Sequence, residues 1–233
     1  MRRLLLFDID GTLVKGGPAK GAFEFAMESV FGTAGPIVGH NFAGKTDAQI
    51  ARELLHGAGF EDDEIDAGFR RLWDMYLAEL EARLDGQPVT VLPGVRRLLD
   101  HVLELPDVAL GLLTGNIRRG ARLKLQSAGL TEFFSEGGFG AIGGFGSDSE
   151  VREDLTAFAI SRAGEELGVR FEPRSVVVIG DTPRDVACGR FGGTRTVAVA
   201  TGRYDTAELT ASGPDRVLND FRNLLDSVEA LLA

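Results

Sequence analysis

Residues 4–14, Leu-Leu-Leu-Phe-Asp-Ile-Asp-Gly-Thr-Leu-Val, end an apolar run on two acidic side chains, and no other segment constrains the fold as strongly. The run predicts a buried strand over 4–8, and Gly11 lets the backbone turn sharply after it. Asp8 and Asp10 would repel each other unless a cation lies between them or one stays protonated. The segment therefore indicates a metal site, and Mg²⁺ suits it because that ion prefers oxygen ligands. The alternative is that the two residues begin a turn or cap a helix.

Length, charge and cysteine content narrow the classes of protein. The chain has 233 residues, enough for one domain with a good core or for a core domain with a smaller insertion. A formal net charge of −10 argues against nucleic-acid and anionic-membrane partners, although a local metal still permits a small anionic substrate. The single cysteine, Cys188, excludes an intramolecular disulfide and indicates a reducing, cytoplasmic compartment. We expect a monomer or a homodimer.

Short apolar runs alternate with helical patterns along most of the chain. This alternation predicts an α/β fold with a parallel sheet that is covered by helices on both faces. The glycine-rich stretch 137–146 is interpreted as a flexible or tightly turning connection. The predicted strands are 4–8, 108–113, 175–179 and 195–199, and the predicted helices are 94–105, 117–128, 153–167, 183–191 and 220–232.

Residues 15–88 interrupt the alternation. Helices are predicted near 18–31, 47–57 and 61–84, with no strand between them, and the last of these has apolar residues at helical spacing. We therefore expect a Rossmann-like core formed by 1–14 and 89–233, with 15–88 inserted as an α-helical cap.

Polar residues also follow two of the other predicted strands. Thr114, Gly115 and Asn116 come after 108–113 and open a helix, so they form either an anion-binding site or a simple N-cap. Asp181 follows 175–179, and Asp185 lies one helical turn further on. Here too the alternative is helix capping, since Pro183 suits a first helical position.

The carboxyl ends of parallel strands meet at one edge of the sheet, where ligands bind. Asp8, Asp10, Thr114 and Asp181 are therefore expected to converge, although they are far apart in sequence. Three acids beside a phosphate-sized anion site are difficult to explain by capping alone.

On these motifs the chain resembles the haloacid dehalogenase superfamily, in its phosphatase branch with a helical cap after the first strand. The motifs are Asp8-Ile-Asp10-Gly-Thr, Leu-Leu-Thr114-Gly-Asn and Gly-Asp181-Thr-Pro-Arg-Asp185, and the resemblance spans nearly the whole chain. It implies a phosphoric monoester hydrolase with Asp8 as nucleophile and Asp10 as general acid and base.

The resemblance also implies a ligand set for Mg²⁺ and for phosphate. Asp8, the backbone carbonyl of Asp10 and Asp181 would hold the ion, with Asp185 acting through water or orienting the other ligands. Thr114, Gly115 and Asn116 would bind the phosphoryl group.

One departure from the family pattern concerns a lysine that usually precedes the last motif. No lysine follows Lys124, which is expected on a solvated helix face. Arg152 lies at about the right place and supplies the same charge through a bulkier, bidentate group; the alternative is an exposed residue near a helix start. In the cap, Thr46 or Asp47 is expected to cap a helix, and the resemblance implies that Lys45 meets an acidic leaving group there.

Four functions are compatible with this family. A Mg²⁺-dependent phosphatase for a small metabolite, similar to phosphoglycolate phosphatase, is the commonest. A phosphosugar mutase is the alternative that the sequence leaves open. A dehalogenase or phosphonate hydrolase would lack Asp10, and a non-catalytic relative would not need all the acids.

Overall fold

The computed structural model describes residues 2–233, and an α/β architecture extends through them. Within this range eight strands are found: β1 (Arg3–Phe7), β2 (Val14–Gly16), β3 (Val89–Val91), β4 (Val108–Thr114), β5 (Gly143–Phe145), β6 (Val176–Gly180), β7 (Arg195–Val199) and β8 (Arg216–Leu218). The α-helices are α1 (Ala19–Phe31), α2 (Asp47–Gly57), α3 (Asp62–Leu84), α4 (Val95–Leu103), α5 (Arg118–Ser127), α6 (Leu155–Leu167), α7 (Pro183–Phe191), α8 (Thr206–Ala211) and α9 (Leu224–Leu232).

A parallel sheet forms the centre of the described chain. Its strand order is β5-β4-β1-β6-β7-β8, so the first strand lies between β4 and β6. Phe7 is level with Leu112 on one side and Ile179 on the other. Residues 4–7 are fully buried, which is why the run has no polar alternation. The predicted fold class is confirmed.

The glycine-rich stretch turns tightly over 137–140, as one of its two interpretations expected, and also contains a strand that was not predicted. This strand is β5, an edge strand buried beneath α6, and a Cβ on Gly144 would collide with the backbone carbonyl of Leu155. Glycine is needed there because the helix approaches the strand closely. A three-residue strand without side-chain alternation has no sequence pattern, and β8 and α8 were missed for the same reason of length.

The segment between β2 and β3 holds three helices whose bounds agree with the predicted ones to within a residue. Phe23 on α1 contacts Tyr76 on α3 edge to face, at 5.5 Å between ring centroids, so these aromatic residues form the core of the helical segment. The expectation of no strand was wrong at its start, because Val14–Gly16 pairs antiparallel with Val89–Val91 where the chain enters and leaves. The division into core and cap stays a prediction. Within residues 2–233, none of the helices combines the length and the apolar character needed to cross a membrane.

Candidate active site

Three adjacent strands release polar side chains at the same edge of the sheet. Asp8 follows β1, Thr114 ends β4, and Asp181 follows β6. All three are buried. Asp8 and Asp181 each have a carboxylate oxygen within 4.8 Å of one on Asp185, so the three acids form a single cluster.

The backbone around Asp181 leaves space only for its carboxylate. Gly11, at φ +87°, turns the chain after Asp10 and brings its backbone against the Asp181 carboxylate. A Cβ on Gly11 would collide with that carboxylate. A Cβ on Gly202 would collide with the same carboxylate from the other side. Asp181 Oδ1 is buried and has no hydrogen-bond donor. A buried acceptor without a partner is costly, so this oxygen is suited to a cation.

The electrostatics of the acid cluster favour a bound cation. Burial, together with the charge of Asp185, raises the pKa of Asp8 to about 7, against the opposing effect of Arg152. Burial and the charges of Asp185 and Asp8 raise the pKa of Asp181 to about 9. Buried like charges resist ionisation unless a positive charge compensates them. Clustered carboxylate oxygens are the ligands that Mg²⁺ prefers, so the residues present fit this ion.

Arg152 supplies positive charge from within the protein. It begins a short 3₁₀ turn ahead of α6, is only 3% exposed, and donates from Nη2 to Asp8 Oδ1 (3.2 Å) and to Asp185 Oδ1. Burial alone would lower the pKa of Arg152, but Asp185 and Asp8 raise it, so the group stays charged. The alternative of an exposed residue at a helix start is wrong.

Asp185 combines a capping role with its place in the cluster. Its Oδ2 accepts from the Thr182 backbone N–H (3.0 Å) and hydroxyl (2.7 Å), while the Thr182 hydroxyl caps α7 and Pro183 begins the helix. Its Oδ1 accepts from Arg152. Both oxygens are therefore engaged, which suits a residue that orients the others.

Asp10 is not part of the acid cluster, and its side chain is 45% exposed. Lys124 Nζ lies 2.9 Å from Asp10 Oδ1 and 2.7 Å from Oδ2, and Asn116 Nδ2 donates to Oδ2 at 2.7 Å. Partial burial opposes ionisation, but the charge and hydrogen bonds of Lys124, with help from Asn116, lower the pKa of Asp10. This carboxylate is thus held by two residues that do not touch Asp8.

The prediction that Lys124 lies on a solvated helix face is wrong, because the residue is buried. The error comes from its charge, since its partner Asp10 is 114 residues away in sequence. The helical spacing of Lys124 indicated that it lies on the buried face of the helix. Lys124 lies seven residues after Ile117 and three after Ala121, both of which face the core.

The alternative that Thr114 or Asn116 caps α5 is wrong, whereas anion binding by these residues stays a prediction. Ile117 is the N-cap residue, and its backbone N–H donates to Asp47 Oδ2 at 2.8 Å. Asp47 comes from the predicted cap, where Thr46 caps α2 by accepting from Gln49 N. Burial, only partly offset by Lys124, raises the pKa of Asp47 to about 6. Sequence reasoning missed this contact because it joins two segments of unrelated pattern.

The Thr114 hydroxyl instead accepts from Asn116 Nδ2 at 2.8 Å and so holds that amide toward Asp10. A Cβ on Gly115 would collide with the backbone carbonyl of Lys45. The absence of a side chain therefore lets the loop that carries Lys45 come down onto the edge of the sheet.

A cavity of about 370 Å³ connects the acids with the helical segment. Lys45 lines it, but its ammonium pairs with Glu53, which also lies 3.2 Å from His40 Nε2. Glu53 therefore offsets the charge of Lys45. The cavity walls also include Asp8, Asp10, Phe23, Phe42, Tyr76, Thr114, Lys124, Arg152 and Asp181.

The comparisons with known proteins agree with this geometry. The HAD-hydrolase-like family model matches residues 153–224, which contain the acid motif after β6. A phosphoglycolate phosphatase of Synechococcus elongatus is 29% identical over 98% of both chains. The pyrophosphatase PpaX of Oceanobacillus iheyensis is 25% identical over 97% of this chain and 96% of its own. The chain is thus similar to haloacid dehalogenase-like hydrolases, both in this segment and in its full-length relatives.

A solved hydrolase from Pseudomonas syringae has the same fold, with a TM-score of 0.73, 20% identity and full coverage of both chains. The relatives named phosphatases agree with the predicted class of enzyme, a phosphoric monoester hydrolase. The roles of individual residues, Lys45 and Asp185 included, stay predictions.

Proposed function

We propose that this protein is a Mg²⁺-dependent phosphatase that hydrolyses a small phosphate monoester through an aspartyl-phosphate on Asp8. The observation that supports this most strongly is the buried cluster of Asp8, Asp181 and Asp185, with Arg152 beside it and the cavity above it. A cluster of this charge is costly in a fold without a ligand, and it offers a nucleophile, a metal site and a cation together.

In the first half of the reaction, a carboxylate oxygen of Asp8 attacks phosphorus and the bond to the leaving oxygen breaks. Asp10 gives its proton to that oxygen, so that a neutral alcohol leaves. Arg152 lies 3.2 Å from Asp8 and stabilises the negative charge on the phosphoryl oxygens, while Thr114 and the Gly115 amide hold the group in line.

In the second half, Asp10 accepts a proton from water as the water oxygen attacks phosphorus. The bond between phosphorus and Asp8 breaks, and inorganic phosphate leaves with the carboxylate restored. The cation that Lys124 places beside Asp10 favours its ionised form, which Asp10 reaches by giving up its proton in the first half and needs as the base in the second.

The side chains of Asp8 and Asp181 and the backbone carbonyl of Asp10 would hold Mg²⁺, and Asp185 would orient that set. When bound, the ion neutralises the charge between the nucleophile and the phosphate. The unpaired Asp181 Oδ1 and the raised pKa values of Asp8 and Asp181 support this assignment.

The cavity volume supports a small metabolite, and the phosphoglycolate phosphatases among the relatives suggest one that carries a carboxylate. Lys45 is placed to meet such a carboxylate, in exchange for its pairing with Glu53. We place the reaction in the cytoplasm, because the single cysteine is buried and unpaired.

The test is a screen of small phosphorylated compounds, including phosphoglycolate, pyrophosphate and hexose phosphates, with Mg²⁺ or with EDTA. We expect release of inorganic phosphate that requires Mg²⁺ and is lost in Asp8→Asn. Full activity in excess chelator would overturn the mechanism. Conversion of a hexose 1-phosphate to its 6-phosphate without release of phosphate would identify a mutase instead.

A further inference from the structure

A buried ammonium group reaches Asp10 from the middle of α5. The Lys124 side chain is 5% exposed, whereas that of Asp10 is 45% exposed. Lys124 Nζ lies 2.9 and 2.7 Å from the two oxygens of Asp10 and 2.7 Å from Asn116 Oδ1. An ammonium group has three donors, and here three oxygens receive them.

These contacts hold the Asp10 carboxylate in one orientation. Lys124 engages both of its oxygens, and Asn116 Nδ2 donates to Oδ2. The Asn116 amide is held in turn by the Thr114 hydroxyl at 2.8 Å. An exposed carboxylate normally rotates freely in water. Burying Lys124 beside it costs desolvation and side-chain entropy, and this cost is explained if the orientation of the Asp10 carboxylate matters.

The two buried cations of the site serve different carboxylates. Arg152 contacts Asp8 and Asp185, whereas Lys124 contacts Asp10 and Asn116. Lys124 lies on α5, the helix that follows β4, and its hydrogen-bond partners do not include the members of the acid cluster. Its contacts therefore associate it with proton transfer and not with phosphate binding.

We propose that Lys124 is a positioning residue that aims the Asp10 carboxyl group at the leaving oxygen. The inference rests on the proposed function, in which Asp10 donates its proton as the bond between phosphorus and the leaving oxygen breaks. Lys124 acts through Asp10 and touches neither the phosphate nor the nucleophile.

This role has a consequence that a purely structural role lacks. An alkyl leaving oxygen needs the proton, whereas 2,4-dinitrophenolate leaves without one. Replacing Lys124 should therefore lower kcat/KM for an alkyl phosphate about 100-fold, in the range for general acid catalysis, and for 2,4-dinitrophenyl phosphate by less than about fivefold. The ratio kcat/KM is the right measure because it covers only the steps up to phosphorylation of Asp8.

The experiment measures kcat/KM with Mg²⁺ for 2,4-dinitrophenyl phosphate and for the best alkyl phosphate of the substrate screen. The variants are Lys124→Met, which keeps the apolar stem, and Lys124→Gln, which keeps one donor should the first fold poorly. Arg122→Met is the matched control, since Arg122 lies on the same helix and is exposed. The variant pair Asp10→Asn with and without Lys124→Met completes a double-mutant cycle.

We expect the selective loss on the alkyl phosphate in both Lys124 variants, a smaller one in Lys124→Gln, and no further loss when Lys124→Met is added to Asp10→Asn. Equal losses on both substrates, or an additive loss in the double variant, would overturn the positioning role. If the wild-type enzyme hydrolyses neither substrate, the proposed function is overturned and the role of Lys124 with it.

Discussion

Removal of the Arg152 guanidinium should damage both catalysis and stability, and by amounts that the structure allows us to state. The side chain is 3% exposed and stands between the carboxylates of Asp8 and Asp185. In Arg152→Met the volume is nearly kept but the charge is lost. Removing one partner of a buried ion pair costs about 3–5 kcal/mol, because the other charge stays buried and uncompensated.

For a chain of this length about 1 kcal/mol moves Tm by roughly 2–4 °C, so we expect Tm in EDTA to fall by roughly 6–20 °C. Saturating Mg²⁺ should shrink that loss, since the ion compensates the same carboxylates. The kcat/KM measured with Mg²⁺ should fall about 10²- to 10³-fold, as for loss of one stabiliser of transition-state charge. Arg152→Lys should recover part of both losses, because it restores the charge without the bidentate geometry.

The assays are thermal melting with and without Mg²⁺ and steady-state kinetics on an aryl phosphate. Arg174→Met serves as the control, because Arg174 is 74% exposed and pairs loosely, at 3.7 Å, with the carboxylate of Asp215 at the surface. Its stability should change by no more than about 0.5 kcal/mol. Wild-type kcat/KM in Arg152→Met, or a Tm loss no larger than that of Arg174→Met, would refute the reasoning.

Further predictions concern the metal, the nucleophile and the cap. Folding raises the pKa of Asp8 to about 7 and that of Asp181 to about 9. The metal-free folded protein therefore binds more protons than the unfolded chain between about pH 4 and 9. Its stability falls as the pH rises through that window. Differential scanning fluorimetry should therefore show a larger Tm gain from Mg²⁺ at about pH 8.5 than at about pH 6, and equal gains would contradict the linkage. Asp8→Asn should abolish turnover without lowering Tm, and kcat near that of the wild type would exclude the covalent route. Lys45→Ala should lower kcat/KM about tenfold or more for a phosphate monoester that bears a carboxylate, because a charged hydrogen bond is lost. The loss on a neutral aryl phosphate should be small. Matching losses on the two substrates would show that Lys45 is a surface charge only.

The acids at the strand ends were accessible to sequence reasoning for a geometric reason. An uninterrupted apolar run predicts a buried parallel strand, and the carboxyl ends of such strands share one edge of the sheet. The sequence therefore predicts that Asp8 and Asp181 lie close together, although 173 positions separate them. Arg152 was identified because the family resemblance calls for a lysine before the last motif and no lysine follows Lys124.

The residues that were missed depend on contacts between segments with unrelated patterns. Lys124 was assigned to solvent by its charge, although its helical spacing matches the buried face of α5. Asp47 was interpreted as part of a local cap, yet its carboxylate accepts from Ile117 N, 70 positions further along the chain. The strand β5 consists of two glycines and a phenylalanine, so its burial depends on the helix that covers it and not on its own sequence.

Chemical trapping of the phosphoryl group on Asp8 tests the central claim most directly. Substrate labelled with ³²P is mixed with the enzyme and Mg²⁺, quenched in acid within one turnover, and the labelled peptide is mapped. We expect hydroxylamine-labile label on the peptide that contains Asp8, more of it in Asp10→Asn with the dinitrophenyl substrate, and none in Asp8→Asn. Substrate turnover at the normal rate with no label on the protein, or label on another residue, would contradict the proposal.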